Sequence, residues 1–167
     1  MKRRSRRSPQ GGPLAAPGSY QVKFTVNNKS LVNQFKILID PRIAADGMTI
    51  ADFQEQETLC LKIRDLLSDA RKTIDKIQKA QKIISEKVQK NAQDELILNQ
   101  ITQIQANFET ARGRYRKPQL LDQIGYLNSM VNRTDQKPGR DAYIRYEELK
   151  LALQQYKAEF EQVDGQE

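Results

Sequence analysis

The chain contains no histidine and a single cysteine, Cys60. The first absence removes Ser-His-Asp and Cys-His catalysis and histidine-ligated zinc. The second removes an internal disulfide or a CxxC site, and Cys60 itself falls on the apolar stripe of a predicted helix, as buried filler does. No stretch is apolar enough and long enough to span a bilayer. MKRRSRRSPQGG has the charge of a leader's first region, but Pro13-Leu14-Ala15-Ala16-Pro17-Gly18 follows where an apolar core belongs, so the start is not read as a signal peptide or a twin-arginine signal. A phosphate-binding glycine loop is missing, since Gly11-Gly12 precedes no strand–helix unit of that kind. An aspartate-rich calcium loop is missing as well. No cofactor is implied.

What is present begins with charge. The 167 residues suffice for one ordinary domain or two small ones, and they carry a net charge of +7. Lys2, Arg3, Arg4, Arg6 and Arg7 supply five of those charges, with no acid among the first 12 residues, which leaves +2 for the remainder. The basicity therefore belongs to a tail. Such a tail serves either as a flexible arm for phosphate or anionic lipid, or as a solvated, disordered start. No aromatic interleaves the arginines, which favours the second reading.

Residues 1–12 read as a disordered basic tail and residues 13–41 as a β-hairpin. In SYQVKFTV, residues 19–26, Tyr20, Val22, Phe24 and Val26 face one way and Gln21, Lys23 and Thr25 the other. Asn27-Asn28-Lys29-Ser30 has turn chemistry, because asparagine tolerates positive φ. Residues 31–39 form the second strand, with Leu31, Phe35, Ile37 and Ile39 on one face, and Pro41 stops the pairing. Two strands alone are marginal in water. The apolar face is thus expected to find cover on the helices, with the edges left open to another chain.

Residues 42–48 read as a linker and 49–163 as a helical bundle, with 164–167 a disordered end. Thr49 with Asp52 makes an acidic N-cap pattern ahead of a helix over 50–89. Along it Phe53, Cys60, Leu67, Ile74, Gln81 and Val88 recur every seven residues, and Gln56, Ile63, Ala70, Ile77 and Ile84 form a second row. Leu59 and Leu66 widen the stripe. A second helix spans 92–112, capped by Asn91, with Ile97, Ile101, Ile104, Phe108 and Ala111 on its stripe. Gly113 and Pro118 end it. A third covers 118–132 and a fourth 140–163. The second and third together match the first in length, at roughly 33 and 22 Å against roughly 60 Å. The lengths suggest a long first helix up, the next two down as one broken arm, and the last up again. The fold class is mainly α: a β-hairpin, the remnant of a sandwich, followed by a long-helix antiparallel bundle.

Chemistry is sparse. Asp40, Asp46 and Asp52 near the strand–helix joint, and Asp135 and Asp141 near the last turn, are the carboxylates a glycosidase would need in pairs. A short-looped bundle promises no sugar cleft, and each acid also reads as a turn former, cap or solvated charge. The cluster Arg112, Arg114, Tyr115, Arg116, Lys117 offers four cations and one aromatic. It suits phosphate or a stacked base, or simply complements a helix C-terminus. Tyr143 lies off the stripe of its helix.

PGSYQVKFTVNNKSLVNQFKILIDPR resembles the end of the sandwich domain in bacterial Asp-box (BNR-repeat), sortilin-like propeller proteins, and KIRDLLSDA and GRYRKPQLLDQIGYLNSMVNRTDQKPGRDAYIRYEEL resemble the helices that follow it there. The similarity covers about residues 13–163, and DPR at the strand–helix joint is its most telling motif. It implies a C-terminal accessory region of a secreted or periplasmic protein, without the propeller to which the family's glycosyl hydrolase label attaches. MKRRSRRSPQGG departs from the family pattern, as a truncated product or an isolated module with a new beginning would. Three readings of function result. The first is a non-catalytic structural or interaction module that meets a protein partner, or a missing β-rich domain, at the hairpin edge. The second is a nucleic-acid or anionic-surface binder using Arg3, Arg4, Arg6, Arg7, Arg112, Arg114, Arg116 and Lys117. The third is part of a hydrolase whose propeller lies elsewhere. Asp40, Pro41 and Arg42 are expected to fix the joint, with Asp40 accepting from backbone N–H groups and Arg42 bracing through a carboxylate or carbonyls.

Overall fold

The computed structural model describes residues 12–87, 89 and 91–165. Most of the expected disordered tail, Val88 of the first heptad row and the last two residues lie outside the described residues. Two strands, β1 (Gly18–Val26) and β2 (Lys29–Ile37), precede five helices: α1 (Pro41–Ala45), α2 (Ile50–Ser85), α3 (Ala92–Ala106), α4 (Leu120–Asn132) and α5 (Arg140–Asp164). The architecture is mainly helical with an N-terminal hairpin, as the two periodicities indicate.

The long helix α2 starts where its cap dictates. Thr49 Oγ1 accepts from the Asp52 N–H at 3.2 Å, and the Asp52 carboxylate accepts from the Thr49 N–H at 3.0 Å. These reciprocal bonds satisfy two donors that the first turn would otherwise leave unpaired. Asn91 and Asp94 repeat the device at the start of α3, at 2.7 and 3.0 Å. Helix α2 ends at Ser85, four residues before the expected stop, with Glu86 as its C-cap and the second capping box opening at Asn91.

Helix α3 also ends early, at Ala106 rather than 112. Phe108 is the reason. It leaves the helix and plugs the core, fully buried, with its ring 5.6 Å from that of Tyr156 on α5. The break is stitched by backbone bonds. The first N–H groups of α4, from Leu120 and Leu121, donate to the carbonyls of Asn107 and Phe108 at 3.1 Å each. Donors that α4 has no side-chain cap for are thus met by the end of α3.

Hydrogen bonds fix the helix directions. Gln56 near the start of α2 donates to Val131 O at the end of α4, at 2.6 Å. Gln81 near the end of α2 reaches Thr102 of α3 at 3.3 Å. The α3–α4 arm therefore runs antiparallel to α2. Helix α5 returns parallel to it: the Tyr143 hydroxyl donates to Glu55 at 2.7 Å, and Lys157 Nζ donates to Asp69 at 3.0 Å. Both pairs are 88 positions apart in sequence, so the two helices keep one register across 14 residues.

Between them lies a single apolar core that includes Ile63, Ile77, Ile101, Ile124 and Leu153, each at most 2% exposed. Each such side chain stabilises the fold by roughly 1.5–3 kcal/mol. All described members of α2's second heptad row are buried, whereas Phe53, Leu67 and Gln81 of the first row are only partly covered. The seam is centred on the row that faces the arm.

Candidate functional site

The hairpin is the part of the chain with no structural partner among the described residues. Its turn is two residues long, with Asn27 at φ 46° and Asn28 at φ 63°. That is the conformation whose twist matches paired strands, and asparagine tolerates it best after glycine. Pairing runs without a break from Val26↔Lys29 back to Gly18↔Ile37. Strand β2 thus begins two residues earlier than the expected residue 31, because the turn is tighter. The register sets Tyr20 opposite Phe35 and Phe24 opposite Leu31 on one face, where Val22 and Val26 join them. The Tyr20 and Phe35 rings stack at 5.8 Å.

None of the described helices covers that face. Every residue from 21 to 36 is exposed. Phe24 and Leu31 keep 66% and 64% of their surface open, and Val22 keeps 52%. The expectation that the bundle shelters the hairpin is corrected here. The physical cause is that the helices' apolar stripes are already occupied by one another. Among the described residues the hairpin also has two free edges, along which every second residue points its N–H and C=O outward.

The root, by contrast, is anchored. Ala16 and Pro17 are buried. The Ala16 N–H donates to the Glu57 carboxylate at 3.2 Å, and the Leu14 N–H donates to Asn132 Oδ1 at 3.2 Å. The Tyr20 hydroxyl closes back onto Ala16 O at 2.6 Å. Beside this anchor lies a cavity of about 350 Å³, lined among others by Ile37, Leu38, Ile43, Phe53 and Cys60. Cys60 is 1% exposed, and its thiol is pushed up by burial and then by the charge of Glu57. That environment suppresses the reactive thiolate.

Asp40, Pro41 and Arg42 occupy the joint and start a helix there. Residues 42–48, expected as a plain linker, contain most of α1, because Asp40 caps it and Pro41 takes the first helical position. The Asp40 carboxylate accepts from the Arg42 backbone N–H at 2.9 Å and from its guanidinium at 2.7 Å. The guanidinium bond first, then the backbone bond, holds the Asp40 carboxyl below its ordinary range. The Arg42 side chain is 88% exposed, and its guanidinium pairs with Asp40. The pair stiffens the first turn of α1 and stays within that turn.

The other expected residues are scattered. Arg3, Arg4, Arg6 and Arg7 lie outside the described residues. Arg112, Arg114, Arg116 and Lys117 are exposed in the irregular segment between α3 and α4. They stand beyond the last turn of α3, too far along to complement its dipole. Tyr115 adopts φ 58° and is fully exposed. This segment follows Phe108, whose ring meets Tyr156 at about the level of Asp69 on α2. It is therefore roughly 18 Å along α2 from Glu57, which holds the hairpin root. The structure does not bring it to the hairpin. Among the acids considered for catalysis, Asp40 pairs with Arg42, and Asp52 serves the α2 cap and meets Lys137 at 3.4 Å. Among the described residues no group of three or more acids or cysteines could hold a metal ion.

One surface escaped the sequence reading. A cavity of about 690 Å³ runs between α4 and α5, floored by Tyr126, Met130 and Ile144 and rimmed by Asp122, Asp141 and Glu148. The available signal was Tyr126, Met130 and Ile144, apolar residues that fall off the core stripes and are exposed. Tyr143, also off stripe, is instead half-buried and bonded to Glu55. Burial first and then the bond to Glu55 push its hydroxyl up to about 12. No protein-family model, no curated protein and no solved structure matches the chain.

Proposed function

We propose that the chain is a non-catalytic interaction module in which a rigid helical pedestal presents a β-hairpin to a β-rich partner. The supporting observation is the hairpin itself: two paired strands whose edges have no neighbour, and whose apolar side chains have no cover, among the described residues. An isolated hairpin of this kind is marginal. Here its root is tied to α2 and α4 through Glu57 and Asn132, which holds the open strands away from the bundle. Added strands at the edges would complete the outward N–H and C=O groups. The resemblance to the C-terminal accessory region of BNR-repeat propeller proteins points to the same kind of partner, a β-rich body.

The test places a photo-crosslinking amino acid at Gln21 or Gln34, one near each edge, in cells that make the protein. A crosslinked polypeptide, purified and added back, is expected to slow amide exchange in both strands. Crosslinks confined to the chain's own bundle, or strands already strongly protected in the isolated monomer, would overturn the reading. Glycoside and peptide substrates are expected to give no turnover; a rate abolished by Asp40→Asn or Asp135→Asn would also overturn it.

A further inference from the structure

The net charge is not spread over the chain. The first 39 residues hold eight cations and no carboxylate; Asp40 is the first acid. Three of the eight are Lys23, Lys29 and Lys36 of the hairpin. The remaining residues hold 20 cations and 21 acids, for a net charge of −1. All of the excess positive charge is therefore in the first 39 residues, which also hold the exposed apolar face of the hairpin.

The hairpin separates the two kinds of surface. The register puts Tyr20, Val22, Phe24, Val26, Leu31 and Phe35 on one face, and Lys23 and Lys36 on the other among Gln21, Thr25, Ser30 and Gln34. Lys29, at the tip, and Asn33, opposite Val22, share the apolar side, and Val32, opposite Lys23, stands among the polar residues. Recognition of single-stranded nucleic acid interleaves aromatics and cations on one face, so that bases stack while phosphates pair. The segregation argues against that use. It matches an amphipathic element lying in a membrane interface, apolar side down and cations at the headgroups. A negative surface attracts each nearby lysine or arginine, and the first 39 residues carry eight of them.

We propose that the apolar face of the hairpin docks on an anionic lipid bilayer, with the lysines and the preceding basic arm providing the attraction. The proposal rests on the reading of the hairpin as the contact element, but it concerns the face, whereas strand pairing uses the edges. The hairpin lies on the surface; no helix among the described residues is long and apolar enough to cross.

The chain has no tryptophan, so Phe24→Trp supplies a single reporter at the centre of the face. The full-length protein is mixed with vesicles of phosphatidylcholine alone and with vesicles that also contain phosphatidylglycerol. Binding only to the second kind, weakened by salt, with a blue shift of the indole emission from position 24, is the expected result. Phe24→Thr with Leu31→Thr keeps strand propensity and should lower the partition at least tenfold. Three results would overturn the proposal. One is no binding to either vesicle. Another is binding with unshifted emission and no loss in the double variant, which would mean that the basic arm acts alone. The third is a photo-crosslink from position 24 to protein only. The edge crosslinks described above read the interaction module separately, so either idea can fail without the other.

Discussion

Gln56→Met tests the packing account most directly. Gln56 belongs to the buried heptad row that otherwise holds Ile63, Ala70, Ile77 and Ile84. From periodicity alone, an apolar side chain of the same length should stabilise the seam. The contacts say otherwise. The Gln56 amide donates to Val131 O at 2.6 Å and also to Thr134 O, at the end of α4 where carbonyls lack a helical donor. Losing two neutral hydrogen bonds costs about 1 kcal/mol each, and stranding the buried Val131 carbonyl adds about 1 kcal/mol. The added apolar burial offsets roughly 1 kcal/mol. The net loss is about 2 kcal/mol, or a fall in Tm of about 6 °C for a chain of this size. Thermal melts by circular dichroism and urea titrations read it, and amide exchange should quicken first in the last turn of α4. A methionine variant that melts at or above the parent would refute the reasoning.

The bundle should feel its core and ignore its hairpin: Ile77→Ala is expected to cost about 3 kcal/mol, and Phe24→Ala less than about 0.5 kcal/mol, by urea midpoint. Tyr143 should ionise near pH 12 in an absorbance titration, and Tyr143→Phe should remove that step. Because the unfolded chain releases that proton first, from about pH 10, stability falls as the pH rises from there to about 12, and Tyr143→Phe blunts the fall. On the acid side Glu55 is held low first by the Tyr143 hydroxyl and then by Lys137, and Asp52 first by the Thr49 hydroxyl and then by its N–H. Their contribution is present above about pH 4.5 and is lost as the pH drops through the folded values, so urea midpoints should fall there and Lys137→Met should shorten the fall. Cys60 should resist a thiol reagent such as Ellman's in the native protein and react at once in denaturant.

The elements legible in the sequence were those set by local rules. Alternation from Tyr20 to Val26 and the paired asparagines marked the hairpin, and Thr49 with Asp52, and Asn91, marked helix starts that the caps bear out. Two seven-residue rows marked α2, of which one proved to be the centre of the seam. What remained hidden depends on distant residues. Phe108 sits at helical spacing yet leaves the helix, because Asn107 and Phe108 carbonyls are needed by the start of α4. Gln56 reads as a flaw in a stripe until Val131 is placed beside it. The open face of the hairpin was the hardest to foresee, since an apolar strand face looks the same whether a helix of its own chain covers it or not. The groove floored by Tyr126 and Ile144 was hidden for a similar reason: it needs two helices set side by side.

The shared offset of α2 and α5 has a further consequence. Seven-residue repeats invite two helices to slide by one repeat, because the apolar rows would still roughly meet. Here the charges forbid it. Moving α5 one repeat toward the end of α2 would carry Lys157 from Asp69 to Lys76, and one repeat the other way would carry it to Lys62. Either mismatch sets like charges together, and the same step takes Tyr143 away from Glu55. A single lysine thus acts as a latch on the alignment of the longest helices, and reversing its sign should let the bundle settle in more than one way.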